Sequence, residues 1–143
     1  MASIHKDISL EAPASAVWDA VADFGALHTR LVPGFVLDTK LDGEARIVSF
    51  ANGTTVRELL VDCDETRRRL VYAVISERIT QHSASVQVIA DGEAKCRLVW
   101  TVDVLPHAIA PYIDGQMEQA ALAMRKALAE RAQPRTHAAP SVV

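Results

Sequence analysis

The chain has 143 residues, half of them hydrophobic and 23% charged, and its formal net charge is -3. That length predicts one domain, able to bury roughly two-thirds of the surface its unfolded form exposes without a metal or disulfide staple. The charge balance argues against a nucleic-acid partner, because phosphate binding needs a concentrated basic surface.

Arg67-Arg68-Arg69 is the one basic run, and Asp62, Asp64 and Glu65 precede it, so it reads as a solvated strand end. No apolar run approaches the roughly 20 residues that span a bilayer, and the first residues lack a signal core. A cytoplasmic protein without integral membrane association is expected. Cys63 and Cys96 form no CxxC pair and sit in separate apolar segments. Two reduced, buried thiols are the simpler reading, with one long-range disulfide as the alternative.

In chain order, residues 4–10 alternate in the manner of a first strand. Pro13 then fits the first turn of a helix, where its missing N–H costs nothing, and Ala14, Val17, Trp18 and Val21 follow at helical spacing. Asp23-Phe24-Gly25 interrupts, residues 26–30 allow one further helical turn, and Pro33-Gly34 stops it. Strands are predicted over 35–41, 45–51, 55–63, 69–75, 83–90 and 95–105. Asn52-Gly53 between the second and third of these is a two-residue hairpin signal, since both turn positions need positive φ. The last strand places Cys96, Leu98, Trp100, Val102 and Val104 on one face, against Arg97, Thr101 and Asp103 on the other, as in an antiparallel sheet with one wet side. Pro106 ends the strands. From Ile109 a stripe of Ile113, Met117, Ala120, Met124 and Leu128 predicts a long helix. Residues 133–143, with two prolines and no periodicity, read as a disordered tail beyond a single domain of residues 1–132.

The predicted class is α+β: a seven-stranded curved antiparallel sheet, two short helices after the first strand, and a long C-terminal helix covering the concave face. One helix is narrower than seven strands, so a cavity between them is expected.

These elements resemble the helix-grip fold of the START and Bet v 1-like (SRPBCC) superfamily, and within it the polyketide cyclase/dehydrase and lipid-transport group. The resemblance rests on residues 8–24, where Ala12-Pro13 is followed after three residues by Val17-Trp18. It rests also on Asn52-Gly53 through Val56-Arg57-Glu58, on residues 69–72, and on residues 96–101, and it spans about residues 3–130. It implies a cavity that binds a hydrophobic or amphipathic small molecule. Plant hormone receptors of the superfamily carry a pocket glutamate where Glu58 stands here, pocket-facing residues at Tyr72 and Val74, and a pocket tyrosine at His82. Their ligand-pairing lysine falls near Leu31, a departure that argues against the same carboxylate recognition.

No catalytic motif, cofactor motif or metal-ligand spacing is present. Glu58 is the sharpest candidate, because a carboxylate in an apolar cavity is a potential general acid or base. Alternation leaves its direction open: either Val56, Glu58 and Leu60 face inward, or Arg57, Leu59 and Val61 do. If Asn52-Gly53 closes a two-residue turn, Glu58 pairs with Ile47 and shares a face with Ser49, and Arg46, Val48 and Phe50 lie with Arg57. The resemblance favours Glu58 inward. His82, in step with Ala84, Val86 and Val88, is either a pocket imidazole or a strand-start residue reaching solvent. Tyr72 is either a pocket phenol or core, and Trp100 reads first as core and otherwise as cavity wall. Val56 and Val74 are further wall candidates, and Tyr112 and Met117 open the long helix near the expected cavity mouth.

The leading expectation is therefore binding of a hydrophobic or aromatic small molecule. One form of it is a cyclase/dehydrase-like enzyme in which Glu58 or His82 removes a proton next to a carbonyl and Tyr72 steadies the oxyanion. The alternative is a non-catalytic carrier, or a ligand sensor that docks a partner.

Overall fold

The computed structural model describes residues 2–132; the expected tail, 133–143, lies outside the described residues. Alternating apolar and polar residues become strands wherever one face is covered. They form β1 (Ala2–Leu10), β2 (Val36–Asp42), β3 (Ala45–Phe50), β4 (Thr55–Asp64), β5 (Arg69–Ile75), β6 (Gln81–Ala90) and β7 (Cys96–Leu105). All neighbours are antiparallel, in the order β1-β7-β6-β5-β4-β3-β2. The helices are α1 (Ala14–Ala22) and α2 (Ala110–Ala132). The class is α+β with the helix-grip arrangement of sheet and C-terminal helix.

Between α1 and β2 the expected single helical turn is two unlike turns, a 3₁₀ turn at Phe24–Ala26 and a π turn at Leu27–Leu31. Arg30 of that segment reaches back to Asp23 at 3.0 Å. The apolar stripe of α2 is buried at Met117, Ala120, Ala121, Met124, Ala127 and Leu128. Lys6 on β1 pairs with both Asp114 and Glu118, which clamps α2 to the edge strand.

The core is dense at one end. There Leu98 is fully buried, opposite Ile8 on β1 and Val88 on β6, with Val17 and Trp18 of α1 in the same cluster. The Trp18 indole N–H donates to Glu65 at 2.6 Å. Elsewhere between the sheet and α2 space is left open.

Two irregularities set the faces. β4 carries a bulge between Leu60 and Asp62, and β2 one between Val36 and Asp38. A bulge breaks the period-2 alternation, so burial along β4 stops at Leu60 and does not continue to Cys63. That corrects the expectation of two buried thiols: both cysteines are free, but Cys63 is exposed and only Cys96 is buried. Among the described residues no helix is long and apolar enough to cross a membrane.

Candidate functional site

The hairpin joining β3 and β4 decides which side chains meet inside. The two-residue turn expected at Asn52-Gly53 is a three-residue loop. The Gly53 N–H donates to the Phe50 carbonyl at 3.0 Å, and the Phe50 N–H donates to the Thr54 carbonyl at 2.8 Å. Gly53 sits at φ +90°, the left-handed position such a loop needs. Asn52 supports the alternative geometry by accepting the Thr54 N–H on its side-chain oxygen.

The register slips by one, and a slip of one moves a whole strand's set of side chains to the other face. Glu58 therefore pairs with Arg46 rather than Ile47, and Val48 pairs with Val56. Arg46, Val48 and Phe50 were expected on the face opposite Glu58; they share its face.

The consequence is a buried ion pair. Arg46 Nε donates to Glu58 Oε1 at 2.8 Å, with both side chains under a tenth exposed. The guanidinium lies 4.0 Å from the Phe24 ring centroid and 5.4 Å from that of Tyr72, and its Nη1 donates to the Phe24 carbonyl at 3.3 Å. Arg46 thus ties β3 and β4 to the 3₁₀ turn after α1. Residue-type reasoning passed over it because an arginine in a strand reads as a surface residue. The signal that would have found it is the three-residue loop, which places two opposite charges directly across the hairpin.

Between the sheet and α2 lies a cavity of about 440 Å³. Its wall includes Val56 and Glu58 of β4, Tyr72 and Val74 of β5, His82 of β6, Trp100 of β7, and Tyr112 and Met117 of α2. The structure therefore brings all eight sequence-derived candidates to one cavity. Leu31 also lines it, as do Arg46 and Phe50, the two lining residues that a two-residue turn would have put on the other face.

The polar groups of the wall are largely satisfied by one another. The Trp100 indole N–H donates to the Tyr72 hydroxyl at 3.2 Å. That leaves the phenol its own O–H to donate. Burial, reinforced by the nearby Glu58 charge, pushes the Tyr72 phenol well above its ordinary range, so it stays a neutral donor. His82 Nδ1 accepts the Val74 N–H at 3.2 Å where the β5–β6 ladder ends, which assigns its proton to Nε2. Glu58 is opposite Val74 and His82 lies beyond it. Two strand spacings, about 10 Å, therefore separate the Glu58 and His82 backbones. They are not a hydrogen-bonded dyad; each would meet a bound molecule separately. Among the described residues no group of three or more His, Cys, Asp or Glu gathers as a metal site.

Burial lowers the His82 imidazole below its ordinary 6.5. As pH falls below that value the unfolded chain takes up this proton first, and stability falls until the folded value is passed. The His82 contribution is thus complete above 6.5 and lost on acidification. Urea midpoints at pH 7.5 and pH 5 should show a larger acid loss in the wild type than in His82→Gln; equal losses would remove His82 from the account.

Solved structures share this architecture. A protein from Thermobifida fusca, determined by solution NMR, is 31% identical, with a TM-score of 0.73 over 92% of this chain and 93% of its own. A START superfamily protein from Mycobacterium smegmatis is 11% identical, with a TM-score of 0.73 over 90% of this chain and 97% of its own. A norcoclaurine synthase point mutant from Thalictrum flavum, in complex with a transition-state analogue, is 18% identical, with a TM-score of 0.70 over 92% of this chain and 96% of its own. The last two likenesses bear on the fold alone. No curated protein matches the sequence. The family model for polyketide cyclase / dehydrase and lipid transport matches residues 1–133, and the chain belongs to that family.

Proposed function

We propose that this protein binds a hydrophobic or aromatic small molecule in the cavity between the sheet and α2. The observation that carries the reading is the cavity's size and wall: about 440 Å³, bounded chiefly by aliphatic and aromatic side chains, with a few polar groups at fixed positions. Small-molecule sites have this volume and this composition. Because Glu58 and His82 stand apart and each already holds a partner, binding is the primary reading.

The test uses Nile red, a neutral apolar dye. Wild-type protein should take it up in about a 1:1 ratio with a rise in emission. Val74→Trp, which fills the wall, should abolish that rise while circular dichroism stays unchanged. A wild type that gives no rise would overturn the reading.

A cyclase/dehydrase-like activity is the second reading, and the free Tyr72 O–H beside Glu58 favours it. Tyr72 would donate to a ligand carbonyl while Glu58, through the oxygen Arg46 does not hold, removes the adjacent proton. With 1-tetralone in D2O, NMR should then show protein-accelerated deuterium uptake next to the carbonyl. Glu58→Gln should cut it by about tenfold or more. Equal uptake by the two proteins would leave binding alone.

A further inference from the structure

The ionisable groups on the cavity wall do not balance. Arg46 and Glu58 cancel each other, and the half-buried imidazole of His82 is held as a neutral hydrogen-bond acceptor. That leaves Arg78, which lines the cavity at the end where the wall becomes exposed, beside Ser76, Ile79, Thr54 and Tyr112. Arg78 makes no ion pair with a carboxylate among the described residues, its chain neighbour Glu77 included.

The turn that carries it is ordered by local bonds. The Arg78 N–H donates to Ser76 Oγ at 3.3 Å, the Ile79 N–H to the Ser76 carbonyl at 3.2 Å, and the Thr80 N–H to the Leu105 carbonyl at 2.9 Å. The wall is thus charge-neutral at depth and carries one positive charge at its rim.

Building on the ligand-binding reading, we propose that the cavity selects a monoanionic amphiphile, an apolar body ending in a carboxylate that pairs with Arg78 at the rim. A guanidinium presents a planar fork that matches a carboxylate. The rim offers one cation rather than a cluster, which suits a single negative charge better than a phosphate dianion. The apolar body would lie along Val56, Val74 and Met117, and Gln116 on α2 supplies a further rim amide.

The experiment is displacement of Nile red by dodecanoic acid and by 1-dodecanol at pH 8, with wild type, Arg78→Gln and, as a surface control, Arg125→Gln. Arg78→Gln should weaken the acid by about three- to tenfold and leave the alcohol within about twofold, an effect that shrinks in high salt. Arg125→Gln should behave as the wild type. Equal effects on acid and alcohol, or none on either, would overturn the assignment while leaving the cavity a binding site. Nile red uptake that neither compound displaces would likewise overturn it. Failure of Nile red itself to bind would remove both readings together.

Discussion

Replacing Arg46 by methionine will cost the fold about 3–5 kcal/mol, because it strands the Glu58 carboxylate in an apolar interior with no counter-charge. Both partners are nearly inaccessible, at 5% and 7% side-chain exposure, so in the intact fold the carboxylate depends on the guanidinium rather than on solvent. The methionine would also forfeit the contact with the Phe24 ring and the bond to the Phe24 carbonyl, loosening the turn after α1. A domain of this kind is stable by roughly 5–15 kcal/mol in total, so this one change takes a large share. The double variant Arg46→Met with Glu58→Leu should recover most of the loss, since an apolar pair of similar volume needs no desolvation of charge. Urea titrations of wild type, both single variants and the double variant form the cycle. A loss below about 1 kcal/mol for Arg46→Met would mean the pair is solvated and the buried geometry is wrong.

Leu98→Ala should cost about 2–5 kcal/mol, while Val74→Ala costs under about 1 kcal/mol. The contrast follows from where each side chain sits. Leu98 has no exposed surface and fills the dense end of the sheet opposite Ile8 and Val88, so truncation opens a void that rigid neighbours cannot close. Val74 already faces the cavity, and removing its methyl groups enlarges a space that exists without it. Denaturant midpoints at equal slope would check the pair. Similar losses at the two positions would mean that the cavity end is as tightly packed as the rest.

Most of the architecture was legible because it depends on periodicity. The alternation from Cys96 to Val104 and the stripe from Met117 to Leu128 each encode a face, and the covered face follows. The alternation of Val56, Glu58 and Leu60 was equally visible, but its direction came from the family resemblance. Alternation reports two faces without naming the inner one. What could not be read was register. Asn52-Gly53 fits a two-residue turn and a three-residue loop alike. The choice between them rests on contacts made only after folding, including the bond from the Asn52 amide to the Tyr112 hydroxyl on α2. Arg46 was misplaced for that reason. Cys63 was misplaced for a related one, since the bulge after Leu60 leaves no mark in residue type.

The bulge in β2 bears on a different hazard. β2 is the outermost strand on its side, so one row of its backbone N–H and C=O groups has no strand to pair with, and two of its leucines, Leu37 and Leu41, are more than 60% exposed. A flat strand of that kind would template pairing with another chain. Here the register shift between Val36 and Asp38 kinks the strand at Leu37, and Asp38, Lys40 and Asp42 bring charge to the remainder. Any molecule adding itself to this edge would have to bury those charges along a bent backbone, so the same irregularity that interrupts the sheet guards it against growing into a fibre.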